Sequence, residues 1–494
     1  MSSRADSPIL KGESVETTVK AGADMGNAEK GDNESSIVTL DPSEDPKSLP
    51  LARKWIIVLV ICSAALCVTC TSSIAASAET GETGSFHVSK EVTILGVSLF
   101  VSGLGLGPLL LGPLSEFYGR NLVYWVSYTL FWLFSWPVAF APNIAVFLVF
   151  RFLGGFSGAA FLSVAGGSVS DLFTNEHVAN PMAVYTISPF IGPVVGPLIS
   201  GFINQNLNWR WTYRVQLIWA FSEMIALVLL VPETYEPILV KRKAARIRKE
   251  TGKDPASSSP DPHDKGVLRS ILISCYKPFQ LLAYERMALL LDLWNALVLG
   301  ILYLAFQAFP IIFEQGHGFN VQSTGMSFLG IGFGMVLALA SQPYWNRVYI
   351  REYQKYDGES PPEVRLLIGM PGGILVSLGL YWIAFTTFKG VHWILPIVGS
   401  IPFGIGILYV FTATFTYLVT AYRPMAASAM AGNSALRSAF AAGFPLFATQ
   451  MYARLGTVGA TALLAGLTTL MAPLPFIFYK YGSRIRSKSK FAIA

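Results

Sequence analysis

The feature that most constrains this chain is the recurrence of apolar runs about 20 residues long, the length an α-helix needs to cross ~30 Å of hydrocarbon. Twelve can be counted, from Trp55–Ser77 to Thr457–Tyr479. Lipid offers no hydrogen-bond partner to a bare backbone, so runs of this length cross as helices. Charged residues make up only 13% of the chain, against roughly a quarter in an ordinary soluble domain. The reading is an all-α membrane protein with twelve transmembrane helices.

Polar stretches divide the chain. Residues 1–50 read as a disordered tail, 51–232 as a first six-helix half, 233–285 as a central loop, 286–480 as a second six-helix half and 481–494 as a basic tail. The central loop opens on the basic helix "VKRKAARIRKE" and continues through the linker-like "DPASSSPDPHD". Trp55 to Gly112 and Met287 to Pro343 cover almost equal lengths, and each ends at a short loop carrying basic residues. Two repeated six-span halves around a midplane site is a transporter architecture.

Positive charge sets the expected orientation. The loops on one side hold only Lys90, Arg210, Arg214, Lys389 and Arg454, and Arg151 and Arg437 lie within spans. All other Lys and Arg fall on the side of the termini, so both termini are expected in the cytoplasm of a multi-pass protein. The net charge of +6 then reports topology, with no basic groove for nucleic acid. The spacing of Cys67 and Cys70 has no second Cys or His pair, so no metal is expected. The five histidines fall in loops, which disfavours a membrane enzyme, and no phosphate-binding Gly-Lys loop is present for ATP. The expected partners are a small molecule, protons and the bilayer, with no cofactor beyond a proton gradient and a monomeric chain.

The motifs are denser than composition suggests. Gly112-Pro-Leu-Ser-Glu116-Phe-Tyr-Gly119-Arg120 resembles the loop signature between spans 2 and 3 of the major facilitator superfamily. Arg151-Phe-Leu-Gly-Gly, followed by "AGGSVSDLF", resembles its fourth-span signature, and "GPVVGP" its antiporter motif in span 5. "WRWTYRVQLIW", "PETYEPIL" and "LRSAFAAGFPLFATQMYARLG" are similar to the fungal drug:proton antiporters of that superfamily. There are departures: Glu116 stands where Asp is usual, Gln307 where many relatives carry Glu, and Thr420 where many carry Asp. Fewer acids argue against a strongly cationic substrate.

The resemblance implies that spans 1, 4, 7 and 10 line a cavity and that spans 2, 5, 8 and 11 join the halves. Gly192, Gly196 and Ser200 share one helical face, which permits close packing. The resemblance associates Gly192, Pro193, Gly196, Pro197 and Gly201 with export, at the interface between the halves. A charge at the bilayer centre costs ~2.5–3.5 kcal/mol on insertion scales, which singles out Arg151, Glu223, Asp292 and Arg437. Asp292 is the first candidate for the proton carrier, with Asp171 as competitor and Arg151 biasing the titration. Glu223 is equally readable as a hydrogen-bonding group between helices, and paired charges with no transport role remain open. Glu116 and Arg120 are expected to form a salt-bridged cytosolic latch with Gly112 and Gly119. Candidate substrate contacts are Ser72, Asn295, Tyr303, Phe306, Gln307, Tyr409, Thr412 and Thr416, which give an amphipathic face.

The implied function is a proton-coupled antiporter exporting a drug, secondary metabolite, polyamine or organic acid across the plasma membrane, with the vacuolar membrane as alternative. A proton symporter importing a nutrient and a non-transporting sensor are the competing readings.

Overall fold

The structure is a computed structural model that describes residues 40–41, 44–174, 177–251, 267–355, 361–487, 489 and 491; every regular element among them is helical. The expected tail before residue 40 and the linker between Asp254 and Asp264 lie outside the described residues. Spans 1 to 6 are Leu51–Ser77, Lys90–Tyr118, Arg120–Ala139, Ile144–Leu172, Asn180–Asn206 and Arg210–Leu230. Spans 7 to 10 are Arg286–Gly316, Val321–Ala340, Pro362–Thr386 and Ile394–Ala421. The last apolar stretch, Ala426–Arg486, is interrupted at Gly456, whose φ of 71° and ψ of 171° break the helix. It therefore supplies spans 11 and 12. Apolar side chains such as Ile218, Leu229 and Leu470 point outward at 63%, 74% and 77% exposure, as a lipid-facing surface requires.

The duplication suspected from loop spacing is visible in the packing. Span 1 lies on span 5 and span 2 on span 4; six spans later, span 7 lies on span 11 and span 8 on span 10. Glycine makes these crossings possible. A Cβ on Gly155 would sit 2.0 Å from the Phe100 carbonyl oxygen, so spans 2 and 4 touch backbone to backbone. The equivalent crossing in the second half brings Gly404 against the Ile331 carbonyl at 2.2 Å. Between the halves, span 2 meets span 11 and span 5 meets span 8.

Span 5 explains its own odd composition. Its helix runs unbroken through Pro189, Pro193 and Pro197. Cβ atoms on Gly192 and Gly196 would each fall 2.0 Å from a span 1 hydroxyl, Thr69 Oγ1 and Ser73 Oγ respectively. The small-residue stripe thus packs within its own half. The contact between halves lies further along, where Gly325 on span 8 meets the Pro197 carbonyl and the Gly201 Cα.

Gly196→Val should therefore cost about 1–3 kcal/mol by overpacking this crossing. Gly112→Val, with nothing within 4 Å of its Cβ, should leave stability unchanged. Thermal unfolding of the detergent-solubilised variants checks both.

Candidate functional site

A cavity of about 1040 Å³ lies between the halves and opens on the face that carries the termini. Its mouth is lined by Gly112, Glu116 and Arg120 from one half and by Tyr349 and Arg365 from the other. Its depth is lined by Phe190, Tyr303, Thr412, Thr416, Asn433 and Arg437. The charged groups of the lining are three cations, Arg120, Arg365 and Arg437, and one acid, Glu116. Beyond Tyr303 the far face is sealed. Ser72 and Tyr303 share a 2.8 Å hydrogen bond across the halves, Ser98 donates to the Ala442 carbonyl at 2.6 Å, and Gln307 Nε2 donates to Glu79 at 2.5 Å.

Spans 7 and 11 assemble the polar centre. Asp292 is fully buried and stands behind Asn433 rather than in the lining. Asn433 Nδ2 donates to Asp292 Oδ1 at 2.8 Å, and Asn295 Nδ2 donates to Asn433 Oδ1 at 3.3 Å. The second oxygen, Asp292 Oδ2, is buried without a partner. One helical turn beyond Asn433, Arg437 sits among Phe190, Phe411 and Phe415, its guanidinium 5.6, 5.7 and 5.3 Å from their ring centres. Phe190 and Phe411 stack across the halves at 4.3 Å. Aromatic faces offset part of the cost of burying the cation. They do not saturate it: Arg437 Nε and Nη1 are buried with no hydrogen-bond partner. The centre therefore offers unused donors beside an apolar, aromatic wall.

The remaining predicted contacts divide. Thr412, Thr416 and Thr420 line the cavity, each hydroxyl donating to a carbonyl one turn back on its own helix. Tyr409 lies off the lining, bonded to Ser341 at 2.6 Å. Phe306 also lies off it, packed edge-on to Tyr303. Gln307 belongs to the far seal.

Arg151 departs from the sequence reading. It approaches neither Asp292 nor Asp171, and its guanidinium donates to the carbonyls of Gly96, Thr71 and Ser72 at 2.9, 2.8 and 3.2 Å. It rests 4.5 Å over the Phe100 ring. Three charge-assisted hydrogen bonds to helix carbonyls tie spans 1, 2 and 4 together. Glu223 takes the hydrogen-bonding role, accepting from Ser63 at 2.5 Å and Trp219 at 3.1 Å.

The gate also has different partners from those expected. Arg120 reaches Asp171 at 3.4 Å and Ser115 at 2.6 Å, while Glu116 is exposed at the mouth. Sequence reasoning missed Glu233, from "PETYEPIL". Its carboxylate accepts from the backbone amides of Arg120 and Asn121 at 3.0 and 3.3 Å, capping the positive end of the span 3 helix. Gly119, at φ 95°, leaves room for it: a Cβ there would lie 2.2 Å from Glu233 Oε2. Sequence reasoning also missed Glu79 and Glu82, buried in the far seal although they fall in an apparent loop.

The Major Facilitator Superfamily pattern matches residues 59–445. The chain is 45% identical over 458 residues to "Efflux pump atB" of Aspergillus terreus, covering 92% of this chain and 88% of that one. It is 39% identical to "Probable drug/proton antiporter YHK8" of Saccharomyces cerevisiae, covering 92% and 88%. Among solved structures it resembles the xylose transporter XylE of E. coli, with a TM-score of 0.59 and 14% identity over 87% of this chain and 98% of that one. The human organic anion transporter MFSD10 gives a TM-score of 0.56 and 18% identity over 86% and 100%. These two likenesses establish the fold.

Arg151→Met would remove the three charge-assisted hydrogen bonds that tie spans 1, 2 and 4 together. A loss of about 3 kcal/mol or more is expected, with Arg151→Lys intermediate, read as the thermal midpoint of purified protein.

Proposed function

The chain belongs to the major facilitator superfamily as a secondary transporter, and from that premise we propose that it exports small amphipathic compounds from the cytosol in exchange for protons. The preferred cargo is neutral or acidic and carries a hydrogen-bond acceptor; a polyamine fits poorly. One observation carries this reading: the cavity ends at Arg437, whose buried Nε and Nη1 lack partners beside three phenylalanine rings. A carbonyl, phenolate or carboxylate on an apolar body meets both needs, since hydrogen bonds to a charged donor are the stronger ones. A polycation would meet three arginines and a single acid. The printed names of the fungal relatives, efflux pump and drug/proton antiporter, support the direction.

The positive-inside distribution supports a cytosolic open face, which makes this the loading state in this reading. Asp292 is the proton carrier in this reading, because it is a buried acid one side chain removed from the cavity. Asn433 bonds to it and itself lines the cavity, which gives substrate occupancy a path to its protonation. The cycle loads cargo from the cytosol, turns outward, releases the cargo, and returns with a proton on Asp292. Arg120 bonds to Asp171 and Ser115 within its own half, and Glu116 is exposed at the mouth. The plasma membrane is the proposed location.

Inside-out vesicles acidified within and carrying a quenched pH dye test this reading. Aromatic acids and acceptor-bearing neutral drugs should trigger proton release, and polyamines should not. Asp292→Asn should abolish release. Arg437→Met should weaken apparent affinity about tenfold or more, the loss of a charge-assisted hydrogen bond. Substrate entering with protons would establish symport and overturn the proposal.

A further inference from the structure

The sealed far face contains two carboxylates that the export cycle does not use. Glu79 and Glu82 lie on the short helix Glu79–Phe86 that follows span 1, at 5% and 0% exposure. Neither lines the cavity. Glu79 Oε1 accepts from Gln307 Nε2 at 2.5 Å, and Gln307 stands on span 7, so this bond crosses between the halves. The other end of the amide, Gln307 Oε1, is buried with no partner. Glu82 Oε1 accepts from the Tyr213 hydroxyl at 2.5 Å, and Glu82 Oε2 is likewise buried and unpartnered.

An ionised carboxylate only accepts hydrogen bonds and has nothing to give the Gln307 oxygen. A protonated carboxyl supplies that donor. Acid and amide can then pair head to tail, each giving one hydrogen bond and taking one. A proton on Glu79 completes that pairing.

We propose that Glu79, backed by Glu82, is a second proton-binding site, loaded from the external medium, that locks the outer ends of the two halves together. Its proton enters and leaves on the same side, so it gates the outer face without being transported, separately from any proton carried by Asp292.

The charges around the site oppose one another. Lys90 Nζ, at the start of span 2, stands 3.9 Å from Glu79 Oε2 with its side chain 42% exposed, and Glu314 at the end of span 7 adds negative charge. Arg151 from span 4 and Tyr213 from span 6 act on Glu82. Arg210, at the start of span 6, is spent on the Trp209 ring at 4.6 Å and the Ala141 carbonyl, and His87 ends the helix that carries both acids. Burial outweighs the cations and pushes Glu79 up to about 8 and Glu82 to about 7 from an ordinary 4.5. Opening the outer face would hydrate both acids and return them toward that ordinary value. The closed form therefore binds protons more tightly. Its advantage is complete below the ordinary carboxylate value and is lost as external pH rises through about 7 and 8.

The test needs alternating access but neither cargo nor proton flux, so it can fail while export stands, or hold while export fails. Ser72→Cys, in a chain freed of its four native cysteines, places a reporter in the seal at a residue of 0% exposure. Gly390→Cys, in an exposed outer loop, corrects for thiol ionisation. Intact cells are labelled with a membrane-impermeant maleimide at external pH between about 8 and about 5.5, a range that takes in both shifted carboxylates and stays above the ordinary value. The corrected rate should fall about tenfold on acidification, as a shifted two-state equilibrium requires. Glu79→Gln, which keeps an amide donor opposite Gln307 at every pH, should give a low rate with most of the pH dependence removed; Glu79→Gln with Glu82→Gln should be flat. A parent rate indifferent to pH, or a double variant that keeps the parent's slope, overturns the proposal.

Discussion

Every polar feature of this protein answers one constraint: a charge taken into an apolar interior must be met there by something other than water. The chain meets it differently at each depth. Arg151 is met by three backbone carbonyls and becomes a rivet between helices. Glu233 is met by the amides that start the span 3 helix. Asp292 and Arg437 are met only in part, by one asparagine and by aromatic faces. Incomplete satisfaction sets Asp292 and Arg437 apart from Arg151 and Glu233.

The same constraint gives the molecule its asymmetry. On the face carrying the termini, the halves stand apart and charged side chains reach the cavity mouth. On the opposite face, short bonds join Ser72 to Tyr303 and Gln307 to Glu79, and glycine lets spans 5 and 8 meet at their backbones. Alternating access exchanges these two conditions. The seal consists mainly of small residues and neutral hydrogen bonds, which can separate without stranding a fixed charge. Glu79 and Glu82 are the exception, and a proton removes it.

The helices, their division into two halves and the charges within the spans were legible in the sequence, because apolar length and misplaced charge are written in single residues. What was not legible depended on partners far along the chain. Arg151 suggested an acid as partner, but backbone carbonyls carry no letter of their own. Glu116 and Arg120 looked like a pair at helical spacing, yet Arg120 finds Asp171, 51 positions away. "AETGETGSF" is polar enough to pass for a solvent loop, and only the folded halves bury its two acids. The small stripe of span 5 was readable as a packing face, but nothing in it specified that the face belongs to span 1 rather than to the other half.

The central claim is that cargo in the cavity and the proton on Asp292 are linked at one centre. The most direct measurement is proton release when an acceptor-bearing aromatic compound binds purified protein in weakly buffered detergent solution near neutral pH. The account predicts release approaching about one proton per molecule bound where Asp292 is loaded beforehand, as linkage requires, and no release from Asp292→Asn that still binds. Binding with no proton released at any pH, or with protons taken up, would contradict it.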